Sequence, residues 1–205
     1  MSIMVKSKFS NRVYNFIHRY YLAILSRVNT VCMYIQANIC GVQLGRGCVF
    51  RGRASFHVSN GGAMIIGRDN TFLSKETVNN IGINHRCILS VTPIEGRTCT
   101  LQIGDKCGFS GTAIWCFDSI TIGNNVRCGA NTLIMDGDAH FDDPRTSPPQ
   151  SIIIKDNVFL GANVVVKKGV TIGENSVVGM NSVVIEDIPA NCVAVGNPCR
   201  IIKQL

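Results

Sequence analysis

The amino-acid sequence predicts an all-β solenoid preceded by one helix, and three observations predict it. Aliphatic residues recur every six positions at Ile154, Leu160, Val166, Ile172, Val178 and Val184 without a miss. A small or β-branched residue stands two positions before each, from Ile152 and Val158 to Ser176 and Ser182. Glycine directly follows three of the aliphatics, at Gly161, Gly173 and Gly179. A period of six fits neither a helix of about 3.6 residues per turn nor one long alternating strand. It fits a short strand and a tight turn, repeated. One hexapeptide cannot bury its aliphatic residue alone. Stacked coils can, because the inward residues form ladders while neighbouring backbones satisfy one another's hydrogen bonds. The glycines are expected to supply the backbone freedom for the turns.

Composition sets the frame. The chain has 205 residues, 46% of them hydrophobic and 16% charged, enough for one domain with a sizeable core and too apolar for disorder. Its net charge of +7 is unevenly placed. Lys6, Lys8, Arg12, Arg19, Arg27, Arg46, Arg51, Arg53 and Arg68 all precede the first acidic residue, Asp69. A basic N-terminal third on a near-neutral body implies an acidic partner at one end. It argues against a nucleic-acid-binding domain, since aromatics interleave little with the cations.

The first element is a helix over residues 1–38. Val13, Phe16, Ile17, Tyr20, Ile24, Val28, Val31 and Ile35 recur at helical spacing, with Arg12, Arg19 and Arg27 largely off that stripe. His18, Arg19 and Arg27 interrupt what would be the apolar core of a signal peptide, and no apolar run of about 20 residues suits a membrane span. The expectation is an amphipathic helix packed on the body through its stripe. A basic face resting on an anionic membrane is the alternative.

Residues 39–205 form the solenoid. The six-residue pattern extends upstream through Ile120-x-Ile122-Gly123, Val126-x-Cys128-Gly129 and Thr132-x-Ile134, with Met64-x-Ile66 and Leu101-x-Ile103 as more degenerate turns. Ten cysteines lie along the chain with no C-x-x-C pair and no histidine at metal-site spacing. Without a secretory signal the compartment is expected to be reducing and cytoplasmic, and the cysteines to act as small core residues.

The repeat breaks once. Ile154 follows Ile134 by 20 positions, two beyond a multiple of six, and residues 135–151 are rich in polar and turn-forming types. An excursion from a rigid scaffold is a natural place for function. His140, one of four histidines, lies there among Asp136, Asp138, Asp142 and Asp143, carboxylates able to orient an imidazole.

The stretch from Ile152 to Lys203 resembles the C-terminal half of hexapeptide-repeat acyltransferases. The tail 187–205 carries the resemblance further, through Asp187-Ile188-Pro189-Ala190-Asn191 and then Gly196-Asn197-Pro198-Cys199-Arg200. The resemblance implies a left-handed parallel β-helix of hexapeptide repeats, a homotrimer with active sites in clefts between subunits, and acetyl-CoA as co-substrate. Asp138-Ala139-His140 is similar to the D-x-H loop of sugar and polysaccharide O-acetyltransferases. That likeness makes His140 the expected general base and Asp138 the expected carboxylate behind it. Gly161 and Ala162 are implied as oxyanion and pantetheine contacts, Met180 as a further cofactor contact, and Arg200 and Lys203 as partners of the nucleotide phosphates. Two departures stand out. Phe159 occupies a place where many relatives have Trp, and Ile185-Glu186 replaces a usual Thr-Lys, leaving Lys167 and Lys168 as substitute cations.

The reading that follows is an O-acetyltransferase acting on a sugar or oligosaccharide hydroxyl in cell-surface polysaccharide assembly, with no metal. Three others compete. A serine O-acetyltransferase would carry a large helical domain before the solenoid, where about 35 residues stand here. A γ-class carbonic anhydrase would need a close pair of histidines among three ligands. A non-catalytic solenoid would leave the broken phase unexplained. Asn84, His85, Trp115, Asp118 and Asn131 are candidates for the sugar cleft.

Overall fold

The computed structural model describes residues 2–94 and 96–205, with side chains from residue 11 onward, so those of Lys6 and Lys8 lie outside the described set. A 38-residue helix, α1 (Ser2–Ile39), leads into six coils of a three-faced parallel β-helix. The first face stacks Gln43–Leu44, Gly62–Ile66, Cys99–Ile103, Ser119–Ile122, Ile152–Ile154 and Thr171–Ile172. The second stacks Val49–Arg51, Thr71–Leu73, Gly108–Ser110, Arg127–Ala130, Phe159–Leu160 and Val177–Val178, and ends with Cys192–Val195 and Arg200–Gln204. The third stacks Ser55–Val58, Ile88–Val91, Ala113–Cys116, Leu133–Met135, Val165–Val166 and Val183–Val184. Pairing along each face is parallel until Arg200–Gln204 returns antiparallel against Cys192–Val195.

The six-residue periodicity is the inward ladder. Ile154, Leu160, Val166, Ile172, Val178 and Val184 are fully buried, as are their partners two positions earlier save Val170 at 1% exposure. On the second face the inward register runs Phe50, Phe72, Phe109, Cys128, Leu160, Val178 and Ala194, so three aromatic rings fill the first-coil end and smaller side chains the rest. The three phenylalanines stack with centroids 4.7 and 5.0 Å apart. Filling such a core to native density makes each ladder residue costly to truncate, about 2–5 kcal/mol for Leu160→Ala. Eight of the ten cysteines are buried and all ten are free thiols, as expected of core filler.

The turns use a different residue from the one expected. Gly161, Gly173 and Gly179 are absent from the left-handed region; that conformation falls three positions after each of the first five aliphatics, at Asn157, Asn163, Gly169, Asn175 and Asn181. Asparagine tolerates it better than other side-chain-bearing residues. The glycines serve close approach instead: a Cβ on Gly161 would stand 2.6 Å from the backbone nitrogen of Met180 in the next coil. The asparagines bond one another up two corners of the prism. Between the first and second faces Asn125, Asn157, Asn175 and Asn191 are linked at 2.9, 3.0 and 2.9 Å. Between the second and third, Asn131, Asn163 and Asn181 are linked at 3.3 and 3.0 Å.

The helix also packs otherwise than expected. Its body-facing side is Ser26, Thr30, Met33, Tyr34 and Ala37, while the apolar stripe from Val13 to Ile39 is exposed. The reason is the open edge of the first coil. Thr30 Oγ1 accepts from the N–H of Phe50 at 3.0 Å, and Tyr34 accepts from the N–H of Cys48 and donates to the carbonyl of Gly45. A terminal coil has unpaired backbone groups, and polar side chains on the helix satisfy them.

Candidate active site

Residues 136–151 leave the prism at the third corner, between Leu133–Met135 on the third face and Ile152–Ile154 on the first. Among the described residues, three side-chain ties hold this loop. Asp136 continues the inward alternation after Thr132 and Ile134 and is wholly buried. Its carboxylate accepts from three consecutive amides: Phe117 on Oδ1 at 2.7 Å, Asp118 and Ser119 on Oδ2 at 2.9 Å each. Burial raises this carboxyl above its ordinary value, against the pull of those donors. Farther out, Lys168 Nζ makes an ion pair with Asp138 and donates to the carbonyl of Ser147 at 2.8 Å, joining both limbs of the loop. At the return, Ser151 Oγ donates to Asp118 at 2.8 Å.

His140 stands exposed at the tip between these ties, directly after Ala139, whose φ of 62° is left-handed backbone. A non-glycine residue held there stores about 1–2 kcal/mol of strain, which the ion pair at the neighbouring Asp138 helps to sustain. The carbonyl of His140 accepts from Asp143 N–H and Thr146 Oγ1, at 3.1 and 2.7 Å. Among the described residues no carboxylate is hydrogen-bonded to its ring. Asp138 is engaged by Lys168, and Asp143 by Arg145, whose guanidinium holds that carboxyl below its ordinary range. An aromatic run borders the tip. Phe141 meets Phe117 edge to face at 5.0 Å, and Phe117 meets Trp115 at 4.7 Å. Trp115 and Phe141 are part-exposed, and Trp115 Nε1 donates to Thr92.

Most of the other expected site residues lie at the second corner. Gly161 and Ala162, and Gly179 and Met180 one coil on, turn the chain from the second face to the third. The N–H of Gly161 is spent on the carbonyl of Val178 at 2.8 Å. Those of Ala162 and Met180 have no protein acceptor among the described residues, so they are the available donors. The excursion over residues 74–87 reaches the same corner. Asn84 N–H bonds Asn131 Oδ1 at 2.7 Å, and the carbonyl of His85 lies where a Cβ on Gly111 would stand, 2.7 Å away. Phe159 is half-exposed on the second face, in register with Arg127. Arg200 is paired with Glu186 at 3.2 Å and Lys203 is exposed on the final strand.

Thus the structure gathers most of the expected residues into two groups on two corners of one chain, with Arg200 and Lys203 apart on the final strand. His140, Asp138, Trp115 and Asp118 belong to the third corner; Gly161, Ala162, Met180, Asn84, His85 and Asn131 belong to the second. The ties made by Asp136 and Lys168 were not read from the sequence. Asp136 had a signal, because a carboxylate in phase with the inward ladder requires donors. Lys168 had none, since its partner lies 30 residues away. Among the described residues no group of His, Cys, Asp and Glu is arranged to hold a metal ion.

Comparison with known proteins agrees with this architecture. Residues 151–186 match the hexapeptide repeat of succinyl-transferase. The chain is 44% identical over 91 residues to galactoside O-acetyltransferase of Escherichia coli, covering 42% of this chain and 45% of that one. It is 36% identical over 129 residues to galactoside O-acetyltransferase of Lactococcus lactis, covering 54% and 62%. The chain thus spans about half the length of the curated relatives it matches. Among solved structures, a mutant of AntD, an N-acyltransferase from Bacillus cereus in complex with dTDP-4-amino-4,6-dideoxyglucose and coenzyme A, superposes with a TM-score of 0.62 at 20% identity. That superposition covers 83% of this chain and 88% of AntD, and it bears on the fold. By its repeat and its coils, the chain is a hexapeptide-repeat parallel β-helix, similar over part of its length to galactoside O-acetyltransferases and in fold to the N-acyltransferase AntD.

Proposed function

We propose that this protein transfers an acetyl group from acetyl-CoA to a sugar hydroxyl, with His140 as general base. The observation that carries the reading is His140 itself, exposed at the tip of a loop that is tied to the scaffold at Asp136, at Lys168 and at Ser151. A scaffold-tied loop with one histidine beside part-exposed aromatic rings suits a base that must meet a hydroxyl on a ring with apolar faces. The galactoside O-acetyltransferase relatives support this acceptor class.

In the reaction, neutral His140 accepts the hydroxyl proton as the oxygen attacks the thioester carbonyl carbon. A C–O bond forms, the oxyanion is held by a backbone N–H of the Ala162 type, and the C–S bond then breaks. The proton passes from His140 to the departing sulfur of CoA. His140 and Ala162 occupy different corners, so the reading calls for a second copy to bring its second corner to the first copy's third. A closed trimer supplies three such clefts. In this scheme Asp138 acts on His140 only after exchanging its Lys168 partner, and Arg200 meets a CoA phosphate only after leaving Glu186. A cytoplasmic place in cell-surface polysaccharide assembly belongs to the same proposal.

The test is His140→Ala, assayed for thiol release from acetyl-CoA across a panel of sugars and oligosaccharides. General-base catalysis contributes about 10²–10⁴-fold, so kcat should fall by that factor while acetyl-CoA affinity is unchanged. A kcat within a few-fold of the parent, with sedimentation unchanged, rejects the mechanism.

A further inference from the structure

The geometry points to α1 as an in-plane membrane anchor that docks the first-coil end of the prism on an anionic lipid bilayer. The two sides of the helix carry opposite instructions. The inner side is fixed to the backbone of the first coil by Ser26, Thr30 and Tyr34, with Met33 and Ala37 buried beneath. The outer side presents a continuous apolar stripe from Val13 through Ile17, Ile24, Val31 and Ile35 to Ile39, each between 43% and 79% exposed. At about 1.5 Å per residue the whole helix runs roughly 57 Å, long for a cap on one coil. An unpartnered apolar face of this extent on a soluble protein marks an interaction surface.

Charge identifies the partner. The first 68 residues hold nine Lys and Arg and no Asp or Glu. Arg27 lies beside the stripe on one flank, and Arg53 reaches the other flank from the first coil, its guanidinium 3.9 Å from Cys32 Sγ. Cations rimming an apolar face suit insertion among acyl chains with the charged heads left at anionic headgroups. Tyr14, Tyr20 and Tyr21, all exposed, supply rings suited to the headgroup boundary. A second copy of α1 is the poorer occupant, because helix pairing would bring cations onto cations with no acidic residue on either helix to relieve them. No described helix is long and apolar enough to cross a membrane, so α1 lies along the surface.

The test is co-sedimentation of the full chain with phosphatidylcholine vesicles, with and without phosphatidylserine, over a range of salt. The chain should pellet with the phosphatidylserine vesicles and be released by salt. Arg27→Ala should lower its partition coefficient about fivefold, and Ile24→Ser about tenfold or more. Both residues face outward, so circular dichroism and melting should be unchanged. Equal pelleting with phosphatidylcholine alone, or none with either vesicle, overturns the assignment. So does an oligomer that Ile24→Ser reduces in the absence of lipid, because the stripe would then be covered by another copy. This outcome is independent of whether the protein transfers acetyl groups.

Discussion

Replacing Asp136 with Asn changes one oxygen to an amide and tests whether the buried carboxylate organises the loop. In the parent, Oδ1 serves the Phe117 amide at 2.7 Å and Oδ2 serves those of Asp118 and Ser119 at 2.9 Å. Asparagine has one acceptor. In its better orientation the oxygen keeps the pair, and its NH₂ group then confronts the Phe117 N–H. One buried donor left unpaired costs about 1–3 kcal/mol, and two charge-assisted bonds made neutral lose about 0.5–1.5 kcal/mol each. Relief of a buried charge offsets part of this, leaving a net loss of about 2–4 kcal/mol. For a chain of this size each kcal/mol shifts Tm by about 2–4 °C, so Tm should fall by roughly 4–16 °C. Calorimetry at fixed protein concentration measures this, since any oligomer makes Tm concentration-dependent. A Tm within about 2 °C of the parent, well below that expected range, would refute the reasoning and show that the three amides find other acceptors.

Further predictions concern the ties, the cofactor and the thiols. Lys168→Met removes the link between Asp138 and Ser147 and should lower kcat more than it weakens acetyl-CoA binding, as read by steady-state kinetics and calorimetric titration. Arg200→Ala with Lys203→Ala should weaken CoA more than a phosphate-free pantetheine analogue, and equal weakening of both removes the phosphate role. Burial pushes the Cys99 and Cys107 thiols up from 9.0 to about 11. The unfolded chain therefore releases these protons first, and stability present below pH 9 should be lost as pH rises toward 11. A flat melting profile across that window contradicts the burial.

The coils were legible because a six-residue period has few physical explanations, and the loop because it broke that period. The turn residues were not. Glycine is the usual carrier of left-handed backbone, whereas Asn163 and its counterparts take that conformation and bond along the stack. The packing side of α1 was hidden for another reason. Amphipathic spacing shows that one side is apolar without saying which side meets the body, and the open strand edge selected Thr30 and Tyr34 over Ile24 and Ile35. His140 could be located by phase, but its neighbours are set by contacts spanning tens of residues, of which Lys168 with Asp138 is one.

The asparagine rungs divide the prism into edges that resist lengthening and places that accept it. Each interior rung, such as Asn163, donates to one neighbour and accepts from another, so adding residues beside it would break two bonds at once. The three excursions respect this division. Residues 92–94, 96–98 and 136–151 leave at the rungless third corner, and residues 74–87 leave at the second corner, below the coil in which Asn131 begins the series. Chain inserted at those places should be tolerated because no asparagine-to-asparagine bond spans them. The same length inserted after Leu160 should unfasten the coils above it. The protein thus resembles a stapled booklet, with pages added only along the unstapled side, and His140 is written on one of them.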